Sequence, residues 1–457
     1  MPEAPYAPPV DEAEDPEYAA NLRRATLAST VGSALEYYDF ALYGLASALI
    51  FSKLFFTNLD PAIALVASFA TFGVGFVARP LGGLFFGTKG DKLGRKWVLV
   101  VTILLMGGSS TLVGLLPTYE TIGIWAPILL VFLRLCQGFG AGAEQAGSTV
   151  LMAEYAPIRR RGFFSALPFI GIQAGTLLAA SVFIYLGTIP EDLLLSWVWR
   201  IPFLASILLV LVALFIRMRL RESPTFIVLE KHEQISEHPL REIFGHSLPS
   251  VLRGIGLRMA ENGGSYLFNS LAVAYATGTV MVDRSIGPIA VAVGSLIGMV
   301  SVPLTGHISD KLGRLPVYRF GAVVMVLLAF PGWYLISQGH AWLVIVVIAL
   351  GIGFGVNTML GPQCALLPEM FGNKHRYLGV AVSREFSAVI AGGLAGVLGA
   401  ALIAKYDGSW VPLGIYTFIL ACITLATTFI ATETRGRDLT RLEDALDDKQ
   451  AGMVAVR

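Results

Sequence analysis

Long apolar runs separated by short polar connections dominate the pattern of this chain. Twelve runs have about 20 residues or more, the length at which an α-helix crosses the hydrocarbon core of a bilayer. They lie near 24–51, 62–86, 97–117, 123–152, 162–186, 197–217, 251–279, 286–305, 317–337, 341–369, 378–403 and 411–432. A longer polar segment divides them into two groups of six. The pattern predicts an all-α membrane protein with twelve transmembrane helices in two six-helix bundles.

The predicted organisation has five parts. They are a cytoplasmic N-terminal tail at 1–22, an N-terminal six-helix bundle at 23–217, a cytoplasmic linker at 218–250, a C-terminal six-helix bundle at 251–432 and a cytoplasmic C-terminal tail at 433–457. The N-terminal tail is acidic and rich in proline, and it has no basic region followed by an apolar core. We therefore expect no signal peptide there.

Lysine and arginine are distributed unevenly between the two sides of these helices. With the N-terminus inside, 25 of the 33 basic residues fall in cytoplasmic segments, and three fall in external loops: Lys53, Arg284 and Lys405. Cytoplasmic connections of membrane proteins carry the excess of basic residues. We therefore expect both termini on the cytoplasmic side of the plasma (inner) membrane.

A charged motif occurs twice, 219 residues apart, each time between two apolar runs. Residues 87–95 read GTKGDKLGR and residues 306–314 read GHISDKLGR. Both copies lie on the cytoplasmic side in this orientation, so the halves are parallel repeats related by an axis along the membrane normal. Glu154 after helix four and Glu369 after helix ten form a second matching pair. Such repeats are typical of secondary transporters, which bind substrate between them.

The duplicated motif predicts a gate at the cytoplasmic side. An aspartate at a helix–loop junction can cap a neighbouring helix and pair with a nearby arginine, and a glycine permits a turn with positive φ. For one copy alone, ordinary positive-inside charge explains the residues equally well. Two copies in register favour a gate, formed by Gly87, Asp91, Gly94, Arg95, Asp310, Gly313 and Arg314.

Ionisable residues also occur inside the apolar runs, where a charge costs about 2.5–3.5 kcal/mol on insertion scales. Three helices carry polar stripes at helical spacing. These are Glu36, Asp39 and Tyr43 on helix one; Arg134, Gln137 and Glu144 on helix four; and Arg258, Glu261, Asn262, Ser265, Tyr266 and Asn269 on helix seven. Helix eleven carries Arg384 and Glu385. Structural ion pairs could explain single residues, but three polar faces indicate a shared wet cavity.

Composition excludes several other classes of function. The net charge of +1 gives no sign of a nucleic-acid partner. The three cysteines and six histidines are scattered, so we expect no disulfide framework, no metal site and no cofactor. No pattern of nucleophile and base stands out, so we do not expect an enzyme.

The chain resembles the metabolite:proton symporter family of the major facilitator superfamily, which includes shikimate, α-ketoglutarate, citrate and proline/betaine carriers. The matching stretches are EYYDFALYG (36–44), ATFGVGFVARPLGGLFFG (70–87), GDKLGRK (90–96), RLCQGFGAGAE (134–144), SWVWRIPFL (196–204) and RESPTF (221–226). Within the family, TIGIWAPILLVFLR (121–134) and EMFGNKHRYLGV (369–380) look most like shikimate carriers. The sequence departs from the family in helix four, where Gln145 stands in place of a bulky tryptophan.

The resemblance implies proton-coupled uptake of a small organic acid by alternating access, in a monomer whose partners are the substrate anion, protons and the lipid bilayer. Asp39 is the first candidate for proton coupling, Glu36 and Glu144 are alternatives, and Arg134 modulates them. The candidate substrate contacts are Tyr43, Gln137, Arg258, Asn262, Tyr266, Asn269, Gln363 and Arg384. A proline/betaine carrier, a drug/proton antiporter and a non-transporting membrane sensor remain alternatives.

Overall fold

The computed structural model describes residues 16–93, 95–142, 144–218, 243, 245, 247–373, 376–439, 441 and 443–450. Within some helices only the backbone is described, including residues 16–21, 87–93, 95–99 and 144. The structural statements below refer to this part of the chain.

Twelve long helices make up the described residues. Their bounds are α1 16–55, α2 Pro61–Leu93, α3 Arg95–Leu115, α4 Trp125–Tyr155, α5 Ile158–Gly187, α6 191–218, α7 248–278, α8 Ile286–Leu312, α9 Arg314–Ser337, α10 Ala341–Met370, α11 Arg376–Lys405 and α12 Val411–Ile430. Shorter helices occur at Tyr119–Ile122 and Ala445–Gln450. The all-α fold with twelve helices, predicted from the apolar runs, is confirmed.

Length and hydropathy identify eight of the described helices as membrane spans, and the bent α6 adds a ninth. Of the other three helices, α3 contains a shorter apolar stretch, Val100–Leu115, and α1 and α7 are less apolar, although both lie in the bundle. The reason is the polar side chains in their middle: α1 carries Glu36 and Asp39, and α7 carries Arg258 and Glu261. Polar groups at this depth must face protein or water rather than lipid.

The helices form two bundles that pack along shared faces. In the first half α1 packs on α5, α2 on α4 and α3 on α6, and in the second half α7 and α9 pack on α12 and α8 on α10. The main contacts between the halves are those of α5 with α8 and of α2 with α11, and α10 and α11 also contact α5 and α4. The bundle therefore opens at either end only if one of these pairs separates there.

Two helices begin earlier than the apolar runs from which they were predicted. Helix α1 begins at Pro16, seven residues before the predicted bundle boundary, because proline suits the first turn and good helix formers follow it. Helix α7 begins at Leu248 rather than 251, with Pro249 in its first turn. Linker residues 219–242 lie outside the described residues.

Part of the predicted C-terminal tail packs on the bundle instead of projecting from it. The carboxylate of Glu433 accepts the backbone N–H groups of Arg314 and Leu315, each at 2.9 Å, at the start of α9. Thr434 donates to Glu369 at 2.8 Å. We call this end of the bundle, which carries the junctions α4–α5, α8–α9 and α10–α11, the basic end.

Five helices contain a π-helical turn, which holds more residues than an α-helical turn. The turns are Ser47–Phe51 in α1, Leu194–Val198 in α6, Leu267–Leu271 in α7, Gly351–Val356 in α10 and Ala388–Gly393 in α11. The turns in α1 and α7 are 220 residues apart, within one residue of the offset between the two charged motifs.

Candidate functional site

Eight ionisable side chains lie buried in the interior of the described bundle, each at most 6 % exposed. They are Glu36, Asp39, Glu261, Glu385, Arg79, Arg134, Arg258 and Arg384. Four acids and four arginines balance in formal charge, but the structure does not pair them one to one. The uneven pairing distinguishes four local environments in the interior.

Asp39 and Arg134 belong to one hydrogen-bonded network. The amide of Gln137 donates to Asp39 and accepts from Arg134, and it also donates to Ser110 at 2.7 Å. The Ser110 hydroxyl donates to Asp39 as well. Gln137, predicted to contact substrate, therefore lies between the predicted proton carrier and its arginine.

The guanidinium of Arg134 has aromatic neighbours rather than a carboxylate. No carboxylate among the described side chains lies within 4 Å of it, and one of its nitrogens, Nη2, has no hydrogen-bond partner. The rings of Phe40, Tyr43 and Phe72 lie 4.3–4.8 Å from its central carbon. Tyr43, predicted to contact substrate, also donates to Thr71 at 3.0 Å. These rings stabilise a positive charge by cation–π interaction.

Arg79 holds two carboxylates, one from each half. Its Nη2 lies 3.1 Å from Oε1 of Glu36 on α1, and its Nε lies 2.9 Å from Oε2 of Glu385 on α11. Glu36, an alternative for proton coupling in the sequence, is therefore part of an ion cluster that crosses between the halves.

Arg258 is already paired within the second half. It lies 3.3 Å from Glu261 and donates to Ser387 at 2.8 Å and to Gln363 at 2.5 Å. Gln363 in turn donates to Glu261 at 3.0 Å and to Tyr318 at 3.1 Å. Arg258 and Gln363, both predicted to contact substrate, therefore form hydrogen bonds with other protein groups.

Arg384 is paired differently from the other arginines. It is 2 % exposed, donates one hydrogen bond to the Gln145 carbonyl on α4, and has no partner for Nε and Nη1. No described carboxylate lies within 4 Å of it. An unpaired buried donor on a charged group is costly, so this guanidinium suits an anion that supplies two oxygen atoms.

Other unpartnered buried atoms in the described interior are mostly donors. The amide nitrogens of Gln145, Asn262 and Asn357 have no hydrogen-bond partner, whereas Asn269 leaves an acceptor, Oδ1, unpaired. Donor groups select acceptor oxygens such as those of carboxylates, carbonyls and hydroxyls.

The remaining predicted contacts lie along α7. Tyr266 packs edge-on against Phe72 and Phe76 of the first half, with ring centroids 5.6 and 4.9 Å apart. Asn262 lies beside Gly392 of α11. The side-chain amide of Asn269 donates to the backbone oxygen of Ser265, one turn earlier in the same helix, at 2.8 Å.

Sequence reasoning missed several groups that join the halves. Gln173 on α5 donates to Asn357 on α10 at 2.8 Å, and Gln145 meets Arg384 across the same interface. Gln173 and Asn357 were not singled out because neither belongs to a polar stripe, and Gln145 was noted only as a replacement for tryptophan. Glu144 was predicted to carry a proton, but its side chain lies outside the described residues.

At the basic end the second motif copy connects both halves. Asp310 accepts the backbone N–H groups of Gly162 and Phe163 at the start of α5, at 2.8 and 3.0 Å, and pairs with Arg314 at 2.7 Å. Gly313 has φ +105°, as its place in the turn requires. Of the first copy, residue 94 and the side chains of 87–93 and 95 lie outside the described residues.

Glu369 lies at the centre of this basic-end cluster. Its carboxylate accepts hydrogen bonds from Nε and Nη2 of Arg314, both at 3.1 Å, and from Nη1 of Arg161, which belongs to the other half, at 3.0 Å. The exposed fraction of its side chain is zero. Closure at this end therefore depends on buried, charge-assisted hydrogen bonds.

The opposite end also joins the halves. Arg284, which precedes α8, donates to the backbone oxygen of Gly187, the last residue of α5, at 3.0 Å. It also donates to the backbone oxygen of Ile189, two residues beyond that helix. Beside it, hydrogen bonds from the Ser285 hydroxyl and backbone N–H lower the pKa of Asp283. The two halves are therefore in contact at both ends of the described bundle.

Comparison with known proteins agrees with this architecture. Residues 25–252 and 264–446 match the family described as "Sugar (and other) transporter". The chain is 37% identical to the Escherichia coli shikimate transporter over 413 residues, covering 89% of this chain and 93% of the relative. It is also 37% identical to the putative transporter YdfJ of E. coli, with 90% and 97% covered.

A third relative transports a different kind of compound. The chain is 36% identical to the proline/betaine transporter of E. coli over 440 residues, with 94% of this chain and 87% of the relative covered. Among solved structures, the partially occluded inward-open xylose transporter XylE from E. coli is similar in fold, with a TM-score of 0.70, 20% identity and 92% and 100% of the two chains covered. With these relatives, the chain belongs to the sugar (and other) transporter family; it has the major facilitator fold, and it is a multi-pass membrane transporter rather than an enzyme.

Proposed function

We propose that this transporter is a proton-coupled symporter that takes up a small organic anion by alternating access, with its basic end and both termini in the cytoplasm. The observation that supports the anion most directly is Arg384, a buried guanidinium with two unpartnered nitrogens and no described carboxylate within 4 Å. A substrate carboxylate would supply the missing charge and two acceptors. Asn262 and Tyr266 are the further contacts in this proposal, and the carrier works as a monomer.

Asp39 is the proposed proton carrier. It lies in the same network as Arg134, but Gln137 stands between them, so no direct salt bridge holds Asp39 in its charged form. Burial opposes the charge on a carboxylate, whereas solvent entry favours it. Opening one side and then the other would therefore change how tightly Asp39 holds a proton.

The basic-end cluster is the proposed inside gate. In this proposal Asp310 and Arg314 act together with Arg161 and Glu369, with which they form a buried cluster of ion pairs, and Asp91 and Arg95 of the first motif copy would complete the gate. Since α5 and α8 meet here, separating these ion pairs opens the cytoplasmic side.

Uptake into proteoliposomes tests the proposed function. The purified full-length protein would receive an inward proton gradient and one labelled compound at a time: shikimate, protocatechuate, α-ketoglutarate, citrate, proline, glycine betaine or xylose. We expect accumulation of an acid above its equilibrium level, abolished by a protonophore. If only proline or betaine accumulates, the substrate is a zwitterion rather than an anion. Accumulation that is insensitive to the protonophore would refute proton coupling.

A further inference from the structure

Arg79, Glu36 and Glu385 form an ion cluster that the proposed transport cycle does not yet use. Both acids bind the same guanidinium, at 3.1 and 2.9 Å, and none of the three side chains is more than 5 % exposed. The two contacts differ in one respect. Glu36 and Arg79 both belong to the first half, whereas Glu385 belongs to the second.

The position of Glu385 places this contact deep within the bundle. Glu385 lies nine residues after Arg376, the first residue of α11, so it lies about 13 Å from the basic end of that helix. Its partner Arg79 lies on α2, and α2 with α11 is one of the two main pairs that join the halves. Opening the basic end along this pair must therefore separate Arg79 from Glu385.

The neighbour of Glu385 connects this ion pair to the ligand. Arg384 precedes it in the chain, and its unpartnered nitrogens are the proposed site for the substrate carboxylate. An anion held there adds a negative charge beside the Arg79–Glu385 pair. That charge repels Glu385 and competes with it for guanidinium groups, and both effects are strong where water is excluded.

We propose that the Arg79–Glu385 ion pair is a lock between the halves, which keeps the basic end closed until an anion occupies Arg384. The identity of the anion rests on the proposed function, but the lock itself does not. When the lock opens, Arg79 keeps Glu36, so the guanidinium is never left in the interior without a carboxylate. Glu385, on the departing helix, becomes hydrated as the basic end opens.

Glu36 provides a matched control for this lock. It binds the same guanidinium and is equally buried, but its contact lies within one half and need not break. Replacing Glu385 by glutamine removes the charge across the interface, whereas replacing Glu36 leaves Arg79 and Glu385 as a complete pair. Each variant removes one carboxylate charge from the same cluster, but only Glu385→Gln should weaken closure of the basic end.

Cys364 on α10 is a native reporter of basic-end opening. It is 1 % exposed and packs between the halves, against Ala166, Phe169 and Ile172 of α5 and Val302 and Leu360 of its own half. It lies six residues before Met370, the end of α10 at the basic end. Separation of α5 from α8 and α10 would expose its thiol from that side.

The test measures how fast a membrane-impermeant maleimide labels Cys364 in inside-out vesicles, where the basic end faces the reagent. The protein is full length with Cys136→Ser and Cys422→Ser, since these two cysteines are partly exposed. Without substrate, we expect Glu385→Gln to be labelled about tenfold faster than the parent, because one charged partner of a buried ion pair is lost. We expect Glu36→Gln to be labelled at the parent rate.

Two outcomes would overturn the lock: a Glu385→Gln protein labelled at the parent rate, or a Glu36→Gln protein labelled as fast as Glu385→Gln. If Glu385→Gln does not fold, Glu385→Asp carries the test, since the shorter side chain withdraws from Arg79 and should give an intermediate rate. Adding the transported acid to the parent should accelerate its labelling. Fast labelling of Glu385→Gln together with no effect of any acid would refute release by the anion, while the lock itself would stand.

Discussion

Arg376, the first residue of α11, donates to Glu154 near the end of α4, with 2.9 Å between Nη1 and Oε1. Its counterpart in the other repeat is Arg161, which donates to Glu369 at 3.0 Å. Each pair connects an arginine of one half to a glutamate of the other. The two pairs differ in burial, because the Glu154 side chain is 31% exposed and the Glu369 side chain is fully covered.

This difference in burial predicts different effects on stability. Glu369→Gln leaves Arg161 buried without a carboxylate partner and leaves Arg314 with Asp310 alone, and we expect a loss of about 3–5 kcal/mol in the free energy of unfolding. Glu154→Gln removes a partly solvated pair and should cost no more than about 1 kcal/mol. Thermal unfolding in detergent measures both, and equal shifts in Tm would contradict the assigned role of Glu369.

Asp39→Asn tests the proton site. Asparagine keeps the size of the side chain but cannot take up a proton, so we expect exchange of substrate across the membrane to persist while accumulation driven by a proton gradient disappears. Glu191→Gln is the control, since Glu191 forms an exposed pair with Lys53. If Asp39→Asn still concentrates substrate, the coupling proton binds elsewhere.

Arg384 and Arg258 should respond differently to removal of their charge. Arg384→Gln removes donors that have no protein acceptor, so we expect KM for the acid to rise at least about tenfold, the value of a charged hydrogen bond, with little change in Tm. Arg258→Gln takes the partner from buried Glu261 and should lower Tm. Uptake kinetics and thermal unfolding of both proteins separate ligand binding from stability. The reverse pattern would assign the anion to Arg258.

Gly306 limits how closely the halves approach at the basic end. A Cβ there would lie 2.6 Å from the backbone oxygen of Gly162 and 2.9 Å from Cβ of Ala166. Gly306→Ala should therefore hold the basic end open and increase labelling of Cys364. The control is Gly108→Ala, because a Cβ at Gly108 meets no atom within 4 Å. Labelling of Gly306→Ala at the parent rate would show that the backbones separate without opening this end.

Much of the fold could be predicted from the sequence because a helix that faces lipid or the packed interior has an apolar composition. Continuous apolar runs identify the spans, and the repeat at 87–95 and 306–314 identifies the two halves. The errors lie at helix ends, where no change of hydropathy marks the boundary. Pro16 began a helix in a segment that looked like a polar tail.

The pairing of polar groups could not be predicted in the same way. Asp39 and Arg134 share a network through Gln137, and the stripe on each helix showed which residues face inward but not their partners. Arg79 stood alone on α2, so its two carboxylates from α1 and α11 depend on packing between distant segments. The sequence pattern predicts which residues share one face of a helix. Which residues meet across the interface between helices depends on how the helices pack.

The matching π-helical turns in α1 and α7 bear on the origin of the chain. Each turn carries an inserted residue, and the two lie at equivalent places in the repeats, Ser47–Phe51 and Leu267–Leu271. The simplest history is one insertion in an ancestral gene of half this length, copied when the gene was duplicated and fused. The ancestor would then have worked as a two-fold dimer, in which the arginine and glutamate pairs at the interface formed reciprocally between identical subunits.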